Sequence, residues 1–201
     1  MCGNRLCSNT QRWFECNFAL AMRSGQLEEA INVFKFRGKQ GWALIFGRIL
    51  IGFLAEEHPS FRDFDLIVAS PTFTGDGGRP FDHTRLVLQR AAAEAPPRQQ
   101  WPFDLDEPAA IVKTGRTDSL TGKPYQQRRE VAEQQLRQVL HVPRPSQTAG
   151  KRILVFDDVF TDGSTLDEVA RALRLQGKAA VVCGVSLCRQ PWRGAAGASP
   201  P

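Results

Sequence analysis

An α/β fold with a doubly wound parallel sheet is the architecture this sequence predicts, and three observations predict it. Short apolar runs at Leu66 to Ala69, Ile153 to Phe156 and Ala179 to Leu187 read as buried parallel strands, which lack the alternation of a half-exposed strand. Stretches with apolar residues at helical spacing separate them, as with Leu166, Val169, Ala170 and Leu173. Strand and helix alternate, which favours parallel strands with helices on both faces. The 201 residues suffice for one such domain with a small appendage.

Taken in order, the alternation Phe14, Cys16, Phe18, Leu20, Met22 predicts a half-buried first strand. Leu27, Ala30, Ile31 and Phe34 predict a helix that stops at Arg37-Gly38-Lys39, and a second, mostly apolar helix follows from Trp42 to Glu57. After Leu66 to Ala69 comes a glycine-rich loop, Gly75 to Pro80. Asp82 then reads as the N-cap of a helix reaching about Ala95. Ala95 to Pro108 is a proline-rich connector, Ala109 to Lys113 a further strand, and Thr114 to Lys123 a basic loop. Pro124 stands where a first helical residue belongs, ahead of a helix lined by Ala132, Leu136, Val139 and Leu140. Arg152 to Phe156 reads as a strand and Asp157 to Gly163 as a loop. The division expected is an N-terminal hood over 1–60, a core over 61–190, and a disordered Gly/Ala/Pro tail over 191–201.

Composition sets outer limits. The chain is 42% apolar and 23% charged, with a formal net charge of +5, which suits an anionic partner. The longest apolar stretch, Trp42 to Ala55, carries Arg48 and is too short to span a bilayer. Met1 to Asn9 holds no apolar signal core, so a cytoplasmic protein without a membrane partner is expected. The five cysteines read as thiols or metal ligands.

The segment with the most chemistry is ILVFDDVFTDGST, residues 153 to 165. A strand delivers two carboxylates to its carboxyl end, where open α/β sheets bind ligands. A loop rich in hydroxyls then opens a helix, whose N-terminal amides and dipole form a phosphate seat. Thr161, Asp162, Gly163, Ser164 and Thr165 form that loop. Two acids beside a bare phosphate would repel it. With a sugar phosphate they have a purpose. Asp157 and Asp158 accept from ribose hydroxyls, hold the shell of a Mg²⁺, and stabilise positive charge developing at ribosyl C1.

This segment resembles the phosphoribosyl pyrophosphate (PRPP) binding motif of type I phosphoribosyltransferases. FDDVFTDGST also resembles the nucleophile motif of haloacid-dehalogenase-like phosphatases. That motif needs two acids separated by one intervening residue and opens its domain, whereas here Asp157 and Asp158 are adjacent and only about 40 residues follow them. FKFRGKQGWALIFGRIL, residues 34 to 50, and VKTGRTDSLTG, residues 112 to 122, are similar to segments of the ComF-like, competence-associated phosphoribosyltransferase-like group. The resemblance implies Mg²⁺-dependent pentosyl transfer from PRPP to a base or amine, with release of pyrophosphate. Its alternatives are a non-catalytic PRPP or nucleotide sensor, or an accessory protein in DNA uptake. It leaves a homodimer and a nucleic-acid partner open.

The resemblance also implies roles. Ser70, Pro71 and Thr72 fall in the pyrophosphate loop, with a cis bond expected at Ser70–Pro71. The family usually has a basic residue there, but this chain has Thr72 and Phe73, and its next basic residue is Arg79. Lys113 and Arg116 belong to a basic loop that covers the pyrophosphate. Arg128 and Arg129 read as surface decoration, His83 as a capping or surface residue, and Phe34 and Phe36 as packing residues. Cys2, Cys7 and Cys16 resemble half of a zinc ribbon, one ligand short of a closed Zn²⁺ site.

Overall fold

The computed structural model describes residues 12–56, 59–98, 100–120 and 122–191. The first strand, β1 (Asn17–Met22), leads through α1 (Gly25–Arg37) and α2 (Trp42–Glu56) to β2 (Leu66–Ala69). Next come α3 (His83–Glu94), β3 (Val112–Lys113) and α4 (Tyr125–Val131). A π-helical stretch (Ala132–Leu136) and a last turn (Arg137–Val139) carry α4 on into β4 (Leu140–His141). The chain closes with β5 (Arg152–Phe160), α5 (Ser164–Leu175) and β6 (Val181–Arg189).

The sheet has the order β1-β6-β5-β2, and every pair in it is parallel. Successive residues of a strand point to opposite faces, and β5 shows what covers each. Leu154 and Phe156 join a buried cluster with Phe34, Phe46, Leu50 and Leu88 of α1 to α3. Ile153 and Val155 join a second cluster with Leu136, Val169 and Leu173. Apolar side chains on both faces are why these strands read as continuous apolar runs. Each one fully buried, as Phe156 is, contributes about 2 kcal/mol.

The helices after neighbouring strands go to opposite sides: α3, after β2, packs in the first cluster, and α5, after β5, in the second. The two connections diverge at the carboxyl ends of β2 and β5. A crevice opens there, as expected at a topological switch point. The Asp82 cap is present, its carboxylate accepting from the Arg85 N–H at 3.0 Å.

Three expectations need correction. First, β5 does not end at Phe156. Asp157 pairs with Ser186, Val159 with Cys188 and Phe160 with Arg189, so both acids belong to the strand. Second, the strand expected over 109–113 shrinks to β3, which pairs antiparallel with β4 outside the main sheet. The free edge of β2 is lined instead by the proline-rich connector: the Ile67 N–H donates to the Pro102 carbonyl, and the Asp104 N–H to the Ile67 carbonyl, both at 2.8 Å. Third, Ser70–Pro71 is trans, and Glu107–Pro108 is the cis bond among the described residues. The described part of the N-terminal segment, residues 12–56, packs on the rest of the chain. Its strand β1 is an edge of the main sheet, and α1 and α2 share the first cluster with β2 and β5. The tail from Trp192 lies outside the described residues.

Candidate functional site

The crevice is an open cleft of about 1000 Å³. Asp157 and Asp158, adjacent in β5, cannot be equivalent, because strand alternation sends them to opposite faces. Asp158 points to the face of α1 and α3 and is 1% exposed. There the Lys35 ammonium lies 2.8 Å from Oδ1 and 2.6 Å from Oδ2. His83 Nε2 lies 3.2 Å from Oδ2. Opposing this carboxylate's burial, the charges of Lys35 and His83 hold it well below the usual carboxylate range. Asp157 is half-buried, and its carboxylate accepts the Asp158 N–H at 2.8 Å. No cation stands within ion-pair distance of it among the described residues. Burial first, and the Asp158 charge second, push its carboxyl up to about 7.

A basic wall faces these acids. Burial lowers the Arg79 guanidinium below its usual range. Lys113 is lowered too, by burial and then by the charge of Arg79. Lys113, lowered by the nearby Arg79 charge and with the Thr117 hydroxyl 2.7 Å from its ammonium, can form with Arg79 a seat for an anion. Arg116 joins them by lying against the glycine-rich loop. A Cβ on Gly77 (φ +68°) would fall 2.8 Å from Arg116 Nη1, so glycine is what lets the two loops meet. His83 is no surface residue: it is 5% exposed, and its Nδ1 lies 3.3 Å from Thr72 Oγ1.

The loop before α5 forms the third part. Thr161 and Thr165 line the cleft, as do Ser70, Pro71 and Thr72. Asp162, Gly163 and Ser164 do not line it. Ser164 is buried, and its hydroxyl has no protein partner among the described residues. The Asp162 carboxylate accepts the Ser164 N–H at 2.9 Å and pairs with Arg128 Nε at 2.8 Å. Arg128 thus neutralises an acid whose charge would oppose a phosphate in this loop. Arg129 is likewise no mere decoration, since it reaches Asp167 at 3.4 Å. Gly163 has φ +91°, and a Cβ there would lie 3.1 Å from the Phe160 ring and 3.2 Å from that of Phe14. Gly163→Ala is expected to lower stability by roughly 2 kcal/mol, read as a fall in the urea midpoint.

Sequence reasoning named Asp157, Asp158, Lys113, Arg116, Thr161 and Thr165, which the cleft brings together. It missed Lys35, His83, Arg79 and Arg128 as site residues. Lys35 stood inside the FKFRG segment, and Arg79 was the first basic residue after the pyrophosphate loop. Those two positions held the available signal. Cys2 and Cys7 lie outside the described residues, and the Cys16 thiol sits 3.4 Å from that of Cys183. Among the described residues no group of three or more metal-ligating side chains forms, and no helix is long and apolar enough to cross a membrane.

The fold and cleft define an α/β protein with a crevice lined by Arg79, Lys113 and Arg116 at the carboxyl edge of a parallel sheet. No protein-family model matches the chain, and no curated protein matches it. Among solved structures it is similar to one described as the structure of the allosteric regulatory enzyme of purine biosynthesis. The identity is 16% and the TM-score 0.46, over 79% of this chain and 30% of that one. This chain therefore spans under a third of that protein's length.

Proposed function

We propose that this chain binds PRPP with Mg²⁺ and is a phosphoribosyltransferase of the ComF-like kind. The observation that carries the reading is the set of groups gathered in one cleft. Asp157, without an ion-pair partner among the described residues, lines it together with Arg79, Lys113 and Arg116 and with Thr161 and Thr165 at the start of α5. PRPP carries the complementary groups: a pyrophosphate, ribose hydroxyls and a 5′-phosphate.

The roles follow from this. Arg79, Lys113 and Arg116 take the pyrophosphate, and Arg79 supplies the charge missing from the loop at Thr72. Thr161, Thr165 and the α5 amides take the 5′-phosphate. Asp157 accepts from the ribose hydroxyls, while Asp158 anchors Lys35 and His83. A single free carboxylate suits Mg²⁺, which usually takes one or two carboxylates together with substrate oxygens. Asp157 would hold it, and it would supply charge neutralisation to the leaving pyrophosphate. In the transfer, the C1–O bond to pyrophosphate breaks and its electron pair leaves with the oxygen. An acceptor nitrogen's lone pair forms the new C1–N bond, and the acceptor's proton passes to water.

Calorimetry with PRPP and Mg²⁺ tests this. Wild type should bind, and Arg79→Ala should bind about tenfold more weakly, the loss of one charged hydrogen-bond partner. Absence of binding, or equal binding by both proteins, defeats the proposal. A non-catalytic sensor is the second reading. The Lys35–Asp158 pair favours it, because it withdraws one of the motif's two acids. Binding without release of pyrophosphate in the presence of candidate bases and ammonia would select the sensor.

A further inference from the structure

We infer that Cys16 and Cys183 are a modification site, a dithiol that a low-molecular-weight disulfide converts to a Cys16–Cys183 disulfide. This is independent of what the main cleft binds.

The two cysteines are 167 residues apart in the chain, and the sheet sets them side by side. Asn17 of β1 is the register partner of Gly184 of β6. One residue earlier the pairing continues: the Gly184 N–H donates to the Cys16 carbonyl at 2.8 Å, and the Glu15 N–H to the Val182 carbonyl at 2.9 Å. These bonds hold Cys16 opposite Cys183. Neighbouring strands lie about 4.8 Å apart, inside the ~4.4–6.8 Å between Cα atoms that a disulfide spans. Both side chains join the first buried cluster, and their sulfurs are 3.4 Å apart. An S–S bond of about 2.0 Å asks each sulfur to move by roughly 0.7 Å, with the backbone left in place.

Burial sets the order of events. Cys16 is half-buried and lines a second cavity of about 330 Å³, which Arg12, Phe160 and Arg189 also bound. Cys183 is 6% exposed. The reagent therefore meets Cys16 first. The Cys16 sulfur bonds to one half of the reagent, and the other half leaves as a thiol that takes the Cys16 proton. Cys183 then attacks the Cys16 sulfur, the mixed S–S bond breaks, and a second thiol leaves with the Cys183 proton. The protein dithiol is oxidised by two electrons, and the reagent's disulfide is reduced to two thiols. Cys188 shows the contrast: it is 0% exposed, and its thiol lies 3.8 Å from the Asp158 carbonyl. In a reducing compartment such a pair stays open until oxidant accumulates, as redox-sensing cysteines do. Its closure joins distant points of the chain, which restricts the unfolded state.

The test treats wild type and Cys183→Ala with glutathione disulfide, alkylates the remaining thiols, and maps the digested peptides by mass spectrometry. Wild type should yield a cross-linked peptide joining Cys16 to Cys183, and its urea midpoint should rise on oxidation and return with dithiothreitol. Cys183→Ala should stop at a glutathione mixed disulfide on Cys16, with no rise in its midpoint. Alkylated Cys16 and Cys183 in oxidised wild type overturn the inference. So does a mixed disulfide on Cys16 that persists beside a free Cys183, a link from Cys16 to Cys2 or Cys7, or a midpoint that falls when the Cys16–Cys183 bond forms.

Discussion

Replacing Lys35 with methionine is expected to destabilise the protein by about 3–5 kcal/mol, the cost of leaving a buried charge without its partner. Asp158 is 1% exposed, and the Lys35 ammonium is within 2.8 Å of both its oxygens. Methionine keeps the volume and removes the charge, so His83 alone would face the carboxylate. Asp158→Asn in the Lys35→Met background should recover much of the loss, because the buried group is then neutral. Urea unfolding of the wild type, both single variants and the double variant gives the coupling directly. Additive single effects would show that the pair is incidental. The sign with pH follows from the Asp158 carboxyl being held below its usual range. The stability it contributes is present above the ordinary carboxylate pKa and is lost as pH falls through the depressed value. Wild type should therefore be hurt by strong acid more than Lys35→Met is.

That pair also shows how far the sequence could be read. The run from Ile153 to Thr165 declares itself because its signals are local: apolar side chains that cover both faces of β5, then a hydroxyl-rich turn, then the α5 stripe. Lys35 and Asp158 are 123 residues apart, and only the fold brings α1 over the end of β5. His83 and Arg79 are hidden for the same reason, each ordinary in its own neighbourhood. The end of β5 was misread because two adjacent acids suggest a loop. They stay in the strand because Val159 and Phe160 continue the pairing with β6 beyond them. The acids then alternate in direction, and a motif that reads as two equal carboxylates becomes one anchored and one free. Asp162 shows the converse. An acid in a phosphate loop is a fault when read locally, and Arg128, reaching over from α4, neutralises it.

Asp157→Asn should change stability and ligand affinity in opposite directions. Burial and the Asp158 charge raise the Asp157 carboxyl to about 7, so the folded protein holds this proton more tightly than the unfolded chain does. The stability that comes from the protonated group is fully present below the ordinary carboxylate pKa and is lost as pH rises through about 7. Asparagine imitates the protonated form at every pH. Without Mg²⁺ or ligand, the variant should match wild type near pH 4 and exceed it at pH 8 by roughly 1–2 kcal/mol, a figure reduced because the side chain is half open to solvent. Thermal unfolding at the two pH values reads this, and a variant less stable at pH 8 would contradict it. On the ligand side, the carboxylate proposed to meet ribose hydroxyls or Mg²⁺ is gone. PRPP affinity should fall on the order of a hundredfold, as expected for losing hydrogen bonds to a charged group. Unchanged affinity would mean that Asp157 does not touch the ligand. A residue whose ionised form costs the empty protein stability and strengthens its hold on a ligand is one kept for binding, and these two results together would assign that role to Asp157 and not to the buried, paired Asp158.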